Sequence, residues 1–221
     1  MVALPNTKNH RSRAELEASV DHIKDAPKDA GSVALIVVRP QHGERRTPAS
    51  VYISAEHGVT GDHWSKGCWL ETEGGEPHPS VQVNLMGVRA AEAIAGDINN
   101  WKAAGNNFFI DIDMSPENLP PGTRLQLGNA EIEISAQANK GCQKFIDHYG
   151  RDACVFVNVG PGWANRTRGL YARVIKNGAG ETRNASGHRP RSQARSQTAS
   201  TPPPNRMQCP SSWRRLIQSE S

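Results

Sequence analysis

The stretch from Leu119 to Phe145 reads LPPGTRLQLGNAEIEISAQANKGCQKF. Gly122 and Gly128 interrupt it, and residues 130–134 (AEIEI) alternate between apolar and charged side chains. Such alternation is typical of a half-buried β-strand. The stretch therefore predicts a strand over 130–134 that positions the loop following it.

That loop, residues 138–144 (ANKGCQK), carries Cys142 between Lys140 and Lys144. Nearby positive charge favours the thiolate over the thiol, and the thiolate is both the nucleophile and the metal-ligating form. Free cysteines also occur as small buried apolar residues. Two lysines are poor neighbours for an apolar pocket, however, and Gly141 permits close backbone approach. Both interpretations stay open, and we take Cys142 as the candidate catalytic residue and metal ligand.

Length and cysteine content restrict the classes to which the protein can belong. A chain of 221 residues with 36% hydrophobic content can bury one good core, so we expect one domain with polar extensions. The four cysteines are scattered, and no secretory leader precedes the polar N-terminal residues. No apolar run approaches the ~18 residues that a membrane-spanning helix needs. These features predict a cytoplasmic protein with no disulfide framework and no membrane partner.

The positive charge is concentrated at the C-terminal end. The formal net charge is +4 and the isoelectric point is about 9.0. Arginines from Arg183 to Arg215 are opposed only by Glu220, among repeated Ser, Thr, Gln and Pro residues. Such a segment cannot bury enough apolar surface to offset its ordering entropy. We expect a disordered basic tail that is a solvated extension rather than a nucleic-acid-binding segment.

Hydrophobic patterns outline the rest of the chain. A capping-box sequence at Ser12–Glu15 predicts a short N-terminal helix, and residues 86–95 predict a second helix. Cys154–Val157 has strand propensity in a segment too short to settle by pattern. Further strands are predicted over residues 33–38, 51–53, 81–85, 108–112 and 170–175.

Short strands with few helices predict a mainly β, α+β domain that is barrel-like with helical decorations. We divide the chain into an N-terminal helical arm (1–31), a β-barrel domain (32–180) and the basic tail (181–221).

Two further groups of residues carry chemistry. The loop around Asp62 and His63 is punctuated by glycines and leads to Cys68. These three suggest zinc, but no second pair of ligands stands at the spacing of structural zinc sites. Arg166 and Arg168 precede the last predicted strand, and paired guanidiniums suit a bidentate grip on phosphate or carboxylate. A solvated basic turn is the alternative.

The order of several short motifs resembles the MOSC domain family, named after the C-terminal domain of molybdenum cofactor sulfurases. The resemblance covers roughly residues 33–178. It implies a β-rich, barrel-like fold, a functional cysteine at Cys142, and a helix around Cys154. It also implies a link to the molybdenum cofactor, to sulfur carried as a persulfide, or to reduction of N-hydroxylated compounds. The motifs are residues 61–64 (GDHW), 81–86 (VQVNLM), 117–122 (ENLPPG), 141–142 (GC) and 168–174 (RGLYARV).

The chain departs from this family after the last predicted strand. Family members continue into a Gly-Asp turn and a closing strand, whereas residues 178–184 (GAGETRN) run into the basic tail. The sequence therefore leaves open whether a MOSC-like barrel lacking its closing strand results. An exposed sheet edge would follow from that loss.

The leading hypothesis places a transferable sulfur, or molybdenum itself, on Cys142. Lys140 and Lys144 would stabilise the anion. The chain would then act as a sulfurtransferase or as a component of a reductase for N-hydroxylated compounds. Partners would be a separate sulfur donor, such as a cysteine desulfurase, and a molybdoenzyme or reductase.

The remaining candidate residues would hold the molybdenum cofactor. Arg168, with Arg166, would bind the phosphate of its pterin, and Asn118 with the Asp62–His63 loop would shape the pocket wall. The alternative hypothesis is a non-catalytic module that binds a pterin or similar anion and delivers it to a partner enzyme. That module needs the arginines but not the thiol.

Overall fold

The computed structural model describes residues 10–182. Across this range the chain forms nine β-strands in two sheets together with six α-helices, a mixed α+β architecture. The larger sheet curls into an open half-barrel, which confirms the predicted fold class. The first nine residues of the predicted arm, and all but the first two residues of the predicted tail, lie outside the described residues.

The larger sheet has six strands. Strands β4 and β5 run parallel, and the other neighbours are antiparallel. All five residues of β4 are buried, as expected for a central strand covered on both faces. In spatial order the strands are β1 (Ser32–Ile36), β5 (Phe108–Asp111), β4 (Val83–Gly87), β8 (Leu170–Lys176), β7 (Ala130–Ile134) and β6 (Arg124–Leu127).

The smaller sheet has three strands, in the order β3 (Gly58–Val59), β2 (Ser50–Ser54) and β9 (Gly178–Glu181). Strand β9 answers the question left by the C-terminal sequence. The chain does not leave the fold after β8, because residues 178–181 pair antiparallel with β2. The backbone N–H of Asn129 also donates to the Ala179 carbonyl. The glycines in this segment conceal the strand from pattern analysis.

Apolar side chains from both sheets form one core. Val51 and Ile53 of the smaller sheet join Leu85, Phe108 and Ile132 of the larger one. The alternating burial of Ala130–Ile134 confirms the strand predicted there. It is joined to β6 by a tight turn in which Gly128 adopts a φ of 59°.

In the described part of the chain, six α-helices accompany the two sheets. The capping box predicted at Ser12 is formed, because its side chain accepts from the Glu15 N–H and the Glu15 carboxylate accepts from the Ser12 N–H. Leu16 is fully buried, and no helix within residues 10–182 is long and apolar enough to cross a bilayer. The helices are α1 (Arg13–Ala18), α2 (Val20–Lys24), α3 (Val88–Ala95), α4 (Ile98–Trp101), α5 (Gln143–Asn158) and α6 (Gly160–Ala164).

Helix α5 positions the candidate site. It includes Cys154, so the helix implied by the MOSC resemblance is present and the local strand propensity is overruled. The helix is kinked at Gly150, whose φ of 86° and ψ of 168° are not helical. A Cβ at Gly150 would lie 2.8 Å from the His10 imidazole, so the N-terminal segment packs directly against the kink.

Candidate functional site

Cys142 is exposed and stands at the N-cap of α5. Its backbone is extended, with φ of −131° and ψ of −177°. Its carbonyl accepts the backbone N–H groups of Phe145 at 2.9 Å and Ile146 at 3.1 Å. Its side chain makes no capping hydrogen bond. The backbone is therefore held in place while the thiol stays accessible from solvent.

Two hydrogen bonds hold the loop before Cys142 against the C-terminal end of α5. The Asn158 side chain accepts from the Gly141 N–H at 3.0 Å and donates to the Gly141 carbonyl at 3.2 Å. Its amide also lies 3.5 Å from the sulfur of Cys154, which is buried. Burial, together with the nearby Cys142, raises the pKa of Cys154 to about 11. Cys154 is therefore a protonated structural thiol at neutral pH.

Arg168 is a buried cation whose pKa is influenced by Cys142. Its side chain is 8% exposed and lies over the Phe145 ring, 5.0 Å from the centroid. It donates to Asn106 Oδ1 at 2.7 Å and to the Ala104 carbonyl at 3.0 Å. Burial lowers the pKa of Arg168, while Tyr171, Cys142 and Tyr149 raise it. Arg168 is therefore a buried cation within electrostatic reach of Cys142.

A row of buried asparagines holds Arg168. Asn84 Oδ1 accepts from Asn106 at 2.6 Å and from Asn139 at 3.0 Å. Asn139 also donates to the Arg168 carbonyl at 3.2 Å. The sequence analysis did not identify these residues. Asn84 and Asn106 could have been found from the sequence, because each lies within or next to a predicted buried strand. A buried amide side chain needs a polar partner.

Lys140 and Lys144 are both exposed. Lys140 Nζ lies 5.9 Å from the centroid of the Trp163 ring, and Lys144 Nζ lies 3.2 Å from His42 Nε2. The predicted stabilisation of a Cys142 anion by these two lysines stays a prediction.

Arg166 and Arg168 contact different parts of the molecule, although two positions separate them. Arg166 donates to the Leu119 carbonyl at 2.7 Å. Burial lowers the pKa of Arg166, and Glu117 opposes that change. Asn118 belongs to the same region and donates to the Asp113 carbonyl at 2.9 Å. The paired guanidinium grip predicted from the spacing is therefore not formed.

Asp62 is an internal partner of Arg39. Two guanidinium nitrogens of Arg39 donate to its carboxylate at 2.8 and 2.9 Å, and Asn107 donates at 2.9 Å. Burial raises the pKa of Asp62, but the hydrogen bonds and charge of Arg39 outweigh it and hold that pKa below its usual range. His63 is half-exposed, and its Nδ1 lies 2.9 Å from the Arg39 carbonyl.

The Asp62 carboxylate, which was predicted to line a cofactor pocket, is therefore bound by Arg39. The Nδ1 atom of His63 contacts the Arg39 carbonyl, which leaves its Nε2 atom for a ligand. Among residues 10–182 no three His, Cys, Asp or Glu side chains are grouped as a metal site.

Tyr171 is a further residue that the sequence analysis missed. Tyr171 lies in the predicted last strand (170–175), which Arg168 precedes. Its ring centroid lies 6.2 Å from that of Trp69, which is 53% exposed. Burial raises the pKa of Tyr171, while Arg168 and Arg39 lower it. Tyr171 and Trp69 thus add an aromatic wall to the Arg168 side of the site.

Cys142 does not line either of two depressions in the molecule. One, of about 360 Å³, lies between α1 and the loop after α3, beside Glu15 and Asp97. The other holds only about 10 Å³, near Arg89, Asp113 and Arg166. The candidate site lies outside both of these depressions.

Comparison with known proteins gives similarity in fold. No family model and no curated protein matches this chain. A solved structure described as a hypothetical protein is 16% identical, with a TM-score of 0.50 over 72% of this chain and 69% of its own. The YUAD protein from Bacillus subtilis is 14% identical, with a TM-score of 0.48 over 70% of this chain and 93% of its own. YiiM from Escherichia coli is 15% identical, with a TM-score of 0.46 over 72% and 70%.

At 16% identity the first of these similarities concerns the fold alone. The fold and the site together define an α+β protein with an open, curled sheet and an exposed cysteine at a helix N-cap.

Proposed function

We propose that this chain is a MOSC-type, molybdenum-cofactor-linked protein in which Cys142 carries a transferable sulfur atom or ligates molybdenum. The motif order in the sequence supports the family, and the site supports the residue. The observation that carries the proposal is the exposed Cys142 thiol, uncapped by its own helix and within the electrostatic influence of buried Arg168. A reactive cysteine needs both access and nearby positive charge.

Sulfur transfer at Cys142 needs no oxidant beyond the donor. The Cys142 thiolate attacks the outer sulfur of a donor persulfide, R–S–SH. A new S–S bond forms on Cys142, the S–S bond of the donor breaks, and the donor leaves as the thiolate R–S⁻. Cys142 becomes the persulfide Cys142–S–SH. Arg168 stabilises the anionic sulfur before attack, and the exposure of Cys142 admits a donor carried by another protein.

The residues present fit a molybdenum cofactor in a limited way. Cys142 offers one soft sulfur ligand, and with no grouped His, Cys, Asp or Glu set in residues 10–182, the other ligands would come from the cofactor. When bound, the cofactor supplies two-electron redox chemistry for oxygen transfer or reduction. Arg168 would hold its anionic end, and Tyr171 with Trp69 would contact a planar ring.

A persulfide-loading experiment tests the role of Cys142. The purified full chain is treated with glutathione persulfide, and intact-mass and peptide-mapping spectrometry record the gain of one sulfur atom. We expect that gain on Cys142 in the wild type and in Cys68→Ala, and its loss in Cys142→Ala. Cys68 is the matched control because it is a partly exposed free thiol.

Unchanged loading of the Cys142→Ala variant would overturn the sulfur-carrier proposal. Elemental analysis of the same preparations tests whether Cys142 ligates molybdenum. Molybdenum that copurifies with the wild type and not with Cys142→Ala supports Cys142 as a ligand. Molybdenum retained equally by both proteins would instead favour the non-catalytic cofactor-binding module.

A further inference from the structure

The loop that carries Cys142 is joined to an exposed apolar corner of the molecule, where α5 meets α6. Asn158, the last residue of α5, accepts from the N–H of Gly141 at 3.0 Å and donates to its carbonyl at 3.2 Å. The chain passes directly from Asn158 into α6, where the side chains of Val159 and Trp163 are 38% and 40% exposed. This corner therefore lies against the residue that precedes Cys142.

The two apolar side chains form a pair. Val159 and Trp163 are four positions apart, and the Trp163 N–H lies 3.5 Å from the Val159 carbonyl, so the two residues share one face of a helical turn. Five large apolar side chains are exposed among residues 10–182, and the other three come from separate parts of the chain. Single exposed apolar residues are ordinary, but an exposed Trp with an apolar neighbour is typical of a contact surface.

Positive charge borders this apolar pair. Lys140 Nζ lies 5.9 Å from the centroid of the Trp163 ring, and Lys144 is in the first turn of α5. Both lysines are exposed, and neither forms an ion pair with a carboxylate in the part of the chain that the structure describes. Asp147, one turn further along α5, accepts instead from Gln143 at 2.9 Å. An occupant that carries carboxylates would therefore complement this corner.

We propose that Val159, Trp163 and the two lysines form a docking surface for an acidic, apolar segment of a partner protein that delivers sulfur to Cys142. This inference rests on the proposed sulfur transfer and adds the surface chemistry of the donor. Charge disfavours two other occupants. Residues 183–221 of this chain carry seven arginines and one glutamate, and a second copy related by a two-fold axis would place the same basic patch on both sides.

A nuclear magnetic resonance titration of the full chain, labelled with nitrogen-15, tests docking separately from sulfur transfer. The probes are two five-residue peptides, each with a central serine between two leucines. One peptide has aspartate at both ends and the other has lysine. The indole N–H resonance of Trp163 is assigned by its loss in Trp163→Phe. We expect both peptides to shift it, and the acidic peptide to bind about three- to tenfold more tightly, since exposed ion pairs contribute modestly.

A matched pair of lysine variants locates the source of this preference. Lys140→Gln should remove most of it, because the charge beside the Trp163 ring is lost. Lys176→Gln should keep it, because Lys176 is an equally charged, exposed residue at the end of β8. The ratio of the two peptide affinities is compared in each variant, so that a general change in the protein cancels.

The same peptides with a cysteine persulfide in place of serine test delivery to Cys142. Trp163→Ala should slow sulfur transfer from the acidic peptide about tenfold, because it removes the aromatic contact. Transfer from glutathione persulfide should not change, since the thiol is intact. Trp163→Phe should keep most of the rate. Ile98→Ala is the matched control, because Ile98 is a 42% exposed apolar residue of α4, and it should keep the full rate.

Each remaining outcome decides the proposal. Equal affinity for the acidic and basic peptides, or equal loss of the preference in Lys140→Gln and Lys176→Gln, would indicate general surface charge and overturn the docking surface. Tighter binding of a single-stranded oligonucleotide than of the acidic peptide would assign a nucleic acid and overturn it too. So would a Trp163 shift that grows with protein concentration alone, which would assign self-association. Preferential docking of the acidic peptide without loading of Cys142 would support the surface and contradict the proposed sulfur transfer.

Discussion

Cys142 and Cys154 both belong to the α5 region, but Cys142 is exposed to solvent and Cys154 is buried. Cys142 stands at the N-cap of α5 and is exposed to solvent. Cys154 lies on the buried side of the helix, 1% exposed, with its sulfur 4.0 Å from the Cys142 carbonyl. The comparison teaches that the position on the helix, rather than the residue type, decides which thiol can react.

The largest expected difference between the two thiols is their rate of alkylation. With a pKa of about 11, only ~10⁻⁴ of Cys154 is thiolate at pH 7, and the folded protein also covers it. We expect iodoacetamide to modify Cys142 at least about a hundredfold faster than Cys154 in the native chain. Time-resolved peptide mapping measures both rates in one sample.

The pH dependence sharpens this test. Because the pKa of Cys154 is raised, its alkylation rate should grow about tenfold for each pH unit until the pH approaches 11. Arg173→Gln serves as a control, since Arg173 is exposed and pairs with Glu133 away from both thiols. Comparable rates for Cys142 and Cys154 at pH 7 would remove the basis for treating them differently.

The next-largest expected effect is the loss of stability caused by a substitution at Gly141, which precedes Cys142 and packs near Cys154. A Cβ at Gly141 would lie 2.9 Å from the Cys154 sulfur and 2.9 Å from Cγ2 of Val157. Gly141→Ala should therefore lower the free energy of unfolding by about 1–3 kcal/mol through overpacking. Urea denaturation measures this change.

Gly74→Ala is the matched control for that change. A Cβ on Gly74 would meet only the Thr72 hydroxyl, at an ordinary 3.7 Å, so its effect on stability should stay within about 0.5 kcal/mol. If Gly141→Ala proved as stable as Gly74→Ala, the loop carrying Cys142 would not be packed on Cys154 as the structure describes.

The sequence predicted the elements whose signal is local. Alternation at Ala130–Ile134 and Leu170–Lys176 was sufficient to find β7 and β8, because each strand buries one face. Strand β9 was missed because its glycines show no alternation and its partner β2 is distant in the chain. The residues around Cys154 favour a strand locally, but packing of α5 against α1 and α6 makes them helical.

The candidate site was predictable only in part, for the same reason. Cys142 was found from its flanking lysines, both of which are exposed. Arg166 was paired with Arg168 from spacing alone, and the turn between them directs the two side chains to Leu119 and Ala104. Long-range contacts, which a single sequence does not contain, assemble this part of the site.

The smallest expected effect concerns the N-cap itself. Cys142 has the extended backbone of an N-cap residue and makes no side-chain cap. Serine is strongly preferred at this position because its oxygen accepts a backbone N–H of the first turn. Cys142→Ser should therefore raise the free energy of unfolding by about 0.5–1 kcal/mol, whereas Cys142→Ala should leave it nearly unchanged. Chemical denaturation of the three proteins measures both values.

A stabilising Cys142→Ser variant that no longer accepts sulfur would show that the thiol is kept at a cost in helix stability. Residues that lower stability in this way are typical of functional positions. Loss of stability in Cys142→Ser but not in Cys142→Ala would mean instead that the sulfur packs against apolar neighbours. In that case the contrast between Cys142 and Cys154 would be one of degree, because both would be partly structural thiols and exposure alone would not distinguish the reactive one.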